Sequence, residues 1–135
     1  MMLISLILAF TFALPSHFEA AWTQVRHSPL LTEDLVSSGT VVLDEPSYLR
    51  WETVEPVQSV AEFTGESRGR FKMPSEKDFK VIEDGEHVVL VPLRRDLKQM
   101  FRRIVVSFDA AGRVTSVFME GTDDGWTKID FKDIK

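Results

Sequence analysis

From about Val36 onward, short apolar or β-branched stretches alternate with turn signals, the pattern that a meander of antiparallel strands produces. The stretches run from Ser38 to Asp44, Tyr48 to Val54, Phe79 to Ile82, His87 to Pro92, Phe101 to Phe108, Val114 to Glu120 and Trp126 to Phe131. Glu45-Pro46-Ser47, Asp84-Gly85, Asp109 to Gly112 and Gly121 to Gly125 separate them and carry the Gly, Pro and Asp that tight turns need. The last three strands read as consecutive hairpins. Thr53 to Pro74 is different, with charges scattered around isolated Val60, Phe63 and Phe71, and reads as one weak strand or a mobile loop.

Successive side chains of a strand point to opposite faces, so parity assigns each residue to a side. Val41 falls with Leu43, Leu49 with Trp51, Ile104 with Val106 and Phe108, and Ile129 with Phe131. Their neighbours Thr40, Asp44, Arg50, Glu52, Arg103, Lys128, Asp130 and Lys132 are polar. The sheet therefore has one apolar concave face and one wet face. Val114 to Glu120 is apolar on both parities, which suits a strand in the sheet interior.

The N-terminus is another material. Residues 1 to 18 contain no Asp, Glu, Lys or Arg, and Met2 to Leu14 is an almost unbroken apolar run of 13 residues. A helix needs about 20 such residues to cross a bilayer. The run has the length of a secretory h-region, with Pro15-Ser16 at its end, so 1–16 reads as a signal peptide or as an apolar N-terminal helix retained in the fold, and 17–135 as one domain.

Composition narrows the function classes. At 135 residues the chain has room for one core, and 16 Lys plus Arg against 21 Asp plus Glu leave a net charge of −5, without the basic excess that nucleic acid requires. The absence of cysteine excludes disulfides, thiolate zinc sites, a cysteine nucleophile and a lipid-modified cysteine.

Candidate chemistry is sparse. Gly65-Glu66-Ser67-Arg68-Gly69 matches the G-x-S-x-G nucleophile elbow, but no apolar strand precedes it and no amphipathic helix follows it. His17, His27 and His87 are too far apart to form a metal-binding pair, and Asp123-Asp124 near Glu120 lacks the ladder of a calcium loop and reads as a solvated hairpin tip. No catalytic residue, metal site or cofactor is assigned, and an enzyme is not expected. What remains is the apolar face, with ten Phe, three Trp and five Met behind it. It is either a plain core packed against a helix or the lining of a cavity for an apolar ligand.

Several motifs resemble the LolA family of periplasmic lipoprotein carriers, in particular its Bacteroides-type branch. Phe18-Glu-Ala-Ala-Trp22-Thr23-Gln24 is similar to the family's F-x-A-x-F-T-Q. Ser28-Pro29-Leu30-Leu31, Ser37-Ser38-Gly39 and Glu45-Pro46 leading to Leu49-Arg50-Trp51-Glu52 resemble S-P-L-L, S-S-G and P-x-x-x-R-W-E. Val89-Leu90-Val91-Pro92, Phe108-Asp109 with Gly112, and Gly125 to Phe131 follow L-x-P, F-D-x-x-G and G-x-T-x-I-x-F. The order and spacing cover roughly residues 18–56 and 79–133.

The resemblance implies a mainly β (α+β) fold: a curved antiparallel sheet forming a half-open β-barrel with one N-terminal helix. Because only 27 residues separate Trp51 from Phe79, it also implies a reduced lid. It implies a monomeric periplasmic carrier that holds the acyl chains of a lipoprotein, receives them from an inner-membrane release complex and passes them to an outer-membrane acceptor. The missing cysteine favours the soluble carrier over an anchored acceptor. By matching position the lining is Val41, Leu43, Leu49 and Trp51; parity adds Ile104, Val106, Val117, Met119, Ile129 and Phe131. The alternative is an interaction module without a cavity, its apolar face filled by the N-terminal helix.

Overall fold

The structure, a computed structural model, describes residues 17–44, 48–64 and 76–135. The apolar run in residues 1–16, Glu45-Pro46-Ser47 and the Gly65–Gly69 motif lie outside the described residues. The described residues form a nine-stranded antiparallel sheet with the spatial order β4-β3-β2-β1-β9-β8-β7-β6-β5. Its strands are β1 (His17–His27), β2 (Leu35–Asp44), β3 (Tyr48–Glu55), β4 (Ser59–Thr64), β5 (Phe79–Asp84), β6 (His87–Pro92), β7 (Phe101–Phe108), β8 (Val114–Gly121) and β9 (Trp126–Lys132). The sheet curves without closing, with β4 and β5 as its edges, and the fold is mainly β as the alternation predicts.

Two meanders make up this sheet, β1 to β4 and β5 to β9. They join where the first strand pairs with the last, Ala21 opposite Lys132 through His27 opposite Trp126. The expected hairpins β7–β8–β9 are all present. In the segment read as weak strand or loop, β4 forms opposite β3, with Leu49 facing Phe63 and Trp51 facing Ala61. Strand β8 is interior, between β7 and β9, and its outward Phe118 stacks on Trp126 with ring centroids 5.8 Å apart. That contact is why both parities of this strand are apolar.

Local chemistry sets the turns. Gly85 adopts φ 62° in the two-residue loop between Asp84 and His87, the left-handed geometry that matches the twist of a tight hairpin. In the β7–β8 turn the Asp109 carboxylate accepts the N–H groups of Ala111 and Arg113, each at 2.9 Å, and the Arg113 guanidinium at 2.9 Å. Helix α1 (Arg95–Met100) precedes β7 and has no counterpart in the sequence reading, since six residues are too few for a helical period to show. It is anchored by Arg94, which bonds Asp78 at 3.3 Å and Asp96 at 2.7 Å, and it drops Leu97 into the core.

Gly39 sits beside a register shift in the β2–β3 ladder, where Ser38 faces Glu55 and Gly39 faces Thr53. A Cβ there would run into the carbonyl oxygen of Glu52 and come within 2.9 Å of the Trp22 indole. Gly39→Ala is therefore expected to destabilise the domain by about 1–3 kcal/mol, through strain rather than lost burial. Urea unfolding checks this as a lower midpoint with an unchanged slope.

The Asp109 turn makes an acid-side prediction. The Arg113 backbone N–H, with the Arg113 guanidinium, holds the Asp109 carboxyl below its ordinary value of 3.8. A carboxyl lowered in the folded state stabilises it at pH above 3.8 and loses that contribution as the pH falls through the folded-state value. Asp109→Asn should flatten the acid limb of a plot of thermal midpoint against pH, by a small amount because the carboxyl is only partly buried.

Candidate functional site

The concave face is built from cross-strand rows, because residues opposite each other in a ladder point to the same side. Phe18, Leu43, Leu49 and Phe63 align across β1 to β4, and Ala20, Val41, Trp51 and Ala61 form the next row. On the other meander Ile129, Val117, Val106 and Val88 align, followed by Thr127, Met119, Ile104 and Leu90. Trp22 opposite Phe131 joins the two halves. Alternation along each strand is therefore converted by the ladders into one continuous apolar floor.

Aromatic contacts stiffen the seam between the halves. Phe18 meets Phe131 edge to face at 5.2 Å, and Trp22 stacks on Trp51 at 4.8 Å. The Trp22 indole N–H donates to the Thr40 carbonyl at 3.0 Å, so the one polar atom of that buried ring is satisfied.

All ten residues expected from position and parity, Val41, Leu43, Leu49, Trp51, Ile104, Val106, Val117, Met119, Ile129 and Phe131, lie in this one cluster and are buried. The structure brings them together. The same cluster holds Phe18, Trp22, Phe63, Leu90 and Phe101, which were not among the expected lining. The alternation of Phe18, Ala20 and Trp22 was visible in the sequence, and Phe63 shares a parity with Ala61. Phe101 could not be placed by counting back from Ile104, because a register shift between Phe101 and Arg103 puts both in the core three positions apart.

The wet face carries ion pairs: Arg50 with Glu52 at 3.0 Å, Arg103 with Glu120 at 2.7 Å and Lys128 with Asp130 at 3.8 Å. Most of these side chains are substantially exposed, so the pairs contribute little to stability. The acidic hairpin tip is divided among separate partners. Glu120 pairs with Arg103, Asp124 with Arg102 at 3.1 Å, and Asp123 accepts the Gly125 N–H at 2.9 Å. Carboxylates engaged in this way do not converge on a common point.

At one end of the half-barrel the floor meets solvent in a cavity of about 80 Å³. Met100, Phe101 and Met119 form its apolar side, and Arg26, His27 and Trp126 are on its rim. His27 stacks on Trp126 at 5.4 Å and bonds Asp34 at 2.8 Å.

No family model matches the sequence, and no curated protein matches it either. Among solved structures the chain is similar to MucB, determined in complex with MucA(peri), with a TM-score of 0.50 and 12% identity over 96% of this chain and 53% of that one. The chain thus spans about half the length of that protein. It also aligns with a LolA superfamily protein from Nitrosomonas europaea, at a TM-score of 0.41 and 8% identity over 98% of this chain and 92% of that one. A putative outer membrane lipoprotein-sorting protein domain from Vibrio parahaemolyticus aligns at a TM-score of 0.32 and 7% identity, over 89% of this chain and 85% of that one. The curved, unclosed antiparallel sheet implied by the family resemblance is the architecture found. The fold is similar to that of MucB. At these identities the likeness is one of fold.

Within this sheet the floor is also the core, so its residues carry stability. Ile129, at 1% exposure, faces Val117 on one side and Gln24 on the other. Ile129→Ala should cost about 2–5 kcal/mol in urea unfolding, whereas Val60→Ser, at a position 46% exposed, should stay within about 0.5 kcal/mol.

Proposed function

We propose that this domain is a periplasmic carrier that holds the acyl chains of lipoproteins against its concave apolar floor and hands them toward the outer membrane. The observation that carries the reading is the floor itself, a run of in-register apolar rows spanning an unclosed sheet. Acyl chains are recognised by burial alone, at about 0.8 kcal/mol per methylene, and need an adaptable lining rather than a constellation of polar groups. Met119 and Met100 beside the aromatic rings supply side chains that can re-pack around a flexible guest. In this reading the ten expected lining residues contact the cargo, residues 1–16 act as the export signal, and no covalent chemistry takes place.

A second reading has its own support: the floor residues are almost fully buried, several at 0 or 1% exposure. A face packed this closely is what an interaction module with a filled core presents, and the similar MucB fold was determined with a protein bound. No helix among the described residues is long and apolar enough to cross a membrane.

Titrating the purified mature domain with an environment-sensitive fluorescent fatty acid or lipopeptide separates the two. The carrier should bind saturably, shift the probe's emission to that of an apolar environment, and gain thermal stability as the ligand concentration rises above its dissociation constant. Trp51→Glu should abolish binding, and Leu49→Ala should weaken it in a protein that circular dichroism shows to be folded. A folded wild-type protein with no saturable binding would exclude the carrier and leave the filled-core module.

A further inference from the structure

The concave face changes character along the strand axis. On β1 the inward positions read Phe18, Ala20, Trp22, Gln24 and Arg26, from apolar to polar within one strand. Gln24 is inward because it faces buried Ile129, and Arg26 because it faces buried Thr127. The neighbouring strands change from apolar to polar toward the same end, in steps: Thr53 and Ser59 lie in the Trp22–Gly39 row, Gln24 and Ser37 one inward position farther, and Arg26 and Thr127 a second position beyond. Ser37 follows Gly39 on β2 opposite Gln24, Thr53 follows Trp51 on β3, Ser59 follows Ala61 on β4, and Thr127 follows Ile129 on β9. A stepped polar border therefore crosses five adjacent strands toward one end of the half-barrel, and its outermost part on β1 and β9, Gln24, Arg26 and Thr127, forms a short polar belt. At about 3.3 Å per residue Gln24 lies roughly 7 Å and Arg26 roughly 13 Å from Trp22 along β1.

The cavity beside Trp126 opens at this belt. Gln24, Arg26 and Thr127 line it together with Met119 and Phe101, which belong to the buried floor. It is where solvent reaches both the belt and the core. Arg26 is exposed and makes no ion pair among the described residues, whereas two other polar rim groups are engaged, His27 with Asp34 and Asp123 with the Gly125 N–H. The belt thus offers Arg26 and Gln24 as N–H donors and Thr127 as a hydroxyl, a set suited to the carbonyl oxygens of an ester or amide.

We infer that acylated cargo lies in the half-barrel with a fixed polarity: acyl tails toward the Phe18–Leu43–Leu49–Phe63 row, and the acceptor-rich head on the Gln24–Arg26–Thr127 belt beside Trp126. This rests on the carrier reading and adds to it the direction of the guest and the end at which it is admitted. The floor is buried along its whole length, and the cavity opens at the belt, so tails enter from the belt end and displace the packing over the floor.

The chain's three tryptophans mark depth. Trp51 lies in the apolar rows, Trp22 at the boundary, and Trp126 at the rim with its ring on the outer side against Phe118 and His27. The probes are stearic acid methyl esters carrying a doxyl spin label near the ester or near the methyl end, and the corresponding free acids, titrated while tryptophan fluorescence is read. In Trp126→Phe, which keeps Trp22 and Trp51, the label near the methyl end should quench more strongly than the label near the ester. Quenching by the ester-end label should be stronger in the wild type than in that variant, and Arg26→Ala should weaken binding of both esters several-fold. Stronger quenching of Trp22 and Trp51 by the ester-end label, equal quenching by both labels, or unchanged affinity in Arg26→Ala would overturn the polarity while leaving the carrier intact. Binding of the free acids alone would overturn acylated cargo as the occupant. Absence of saturable quenching by any probe would remove the carrier reading and this one with it.

Discussion

Everything in this domain depends on the pairing of β1 with β9. Trp22 faces Phe131 across a ladder whose partners are about a hundred positions apart in the chain. Without it the molecule would be two separate meanders, each with one apolar face and nothing to cover it. With it, the floor is continuous from Phe63 to Phe79, and the Phe18–Phe131 and Trp22–Trp51 contacts gather at the join. Closing a loop of that length is entropically costly before any contact compensates, which places the formation of this ladder late and makes it cooperative with the burial of the seam aromatics.

The curvature of the sheet and its irregularities follow from the same need to keep one face apolar. Each register shift adds a residue on one strand and would otherwise turn the following side chains to the wrong side. The shift beside Gly39 is tolerated because glycine lets the Glu52 carbonyl approach, and the shift between Phe101 and Arg103 lets Phe101 and Ile104 both point inward. Helix α1 covers the floor from the β6–β7 connection, held by Arg94 between Asp78 and Asp96. The same floor serves as core and as candidate binding surface, so a guest must compete with the packing that stabilises the fold.

A face with this double role is recognised by its chemistry only in part. The ten expected lining residues all reached the cluster, yet a core position and a lining position have the same alternation, and period-two patterning cannot distinguish them. Ser67 in its G-x-S-x-G match lies outside the described residues, and the acidic tip at Asp123-Asp124 became a set of separately paired turn carboxylates. The polar belt was invisible from any single strand. Gln24, Arg26 and Thr127 look like ordinary polar ends of strands until the β1–β9 ladder sets Arg26 opposite Thr127 with Gln24 one inward position away.

By itself the sequence determined the fold class, the position of nearly every strand from Val36 onward and the side on which each strand is apolar. These are local properties, set by side chains that alternate every residue and by turn residues with particular backbone preferences. Tertiary structure decided which strands are neighbours, that β4 forms a strand against β3, that a six-residue helix interrupts the second meander, and that the floor ends in a rimmed cavity at Trp126. Those outcomes depend on ladder partners far apart in the chain and on register shifts of one residue, neither of which leaves a periodic trace along the sequence.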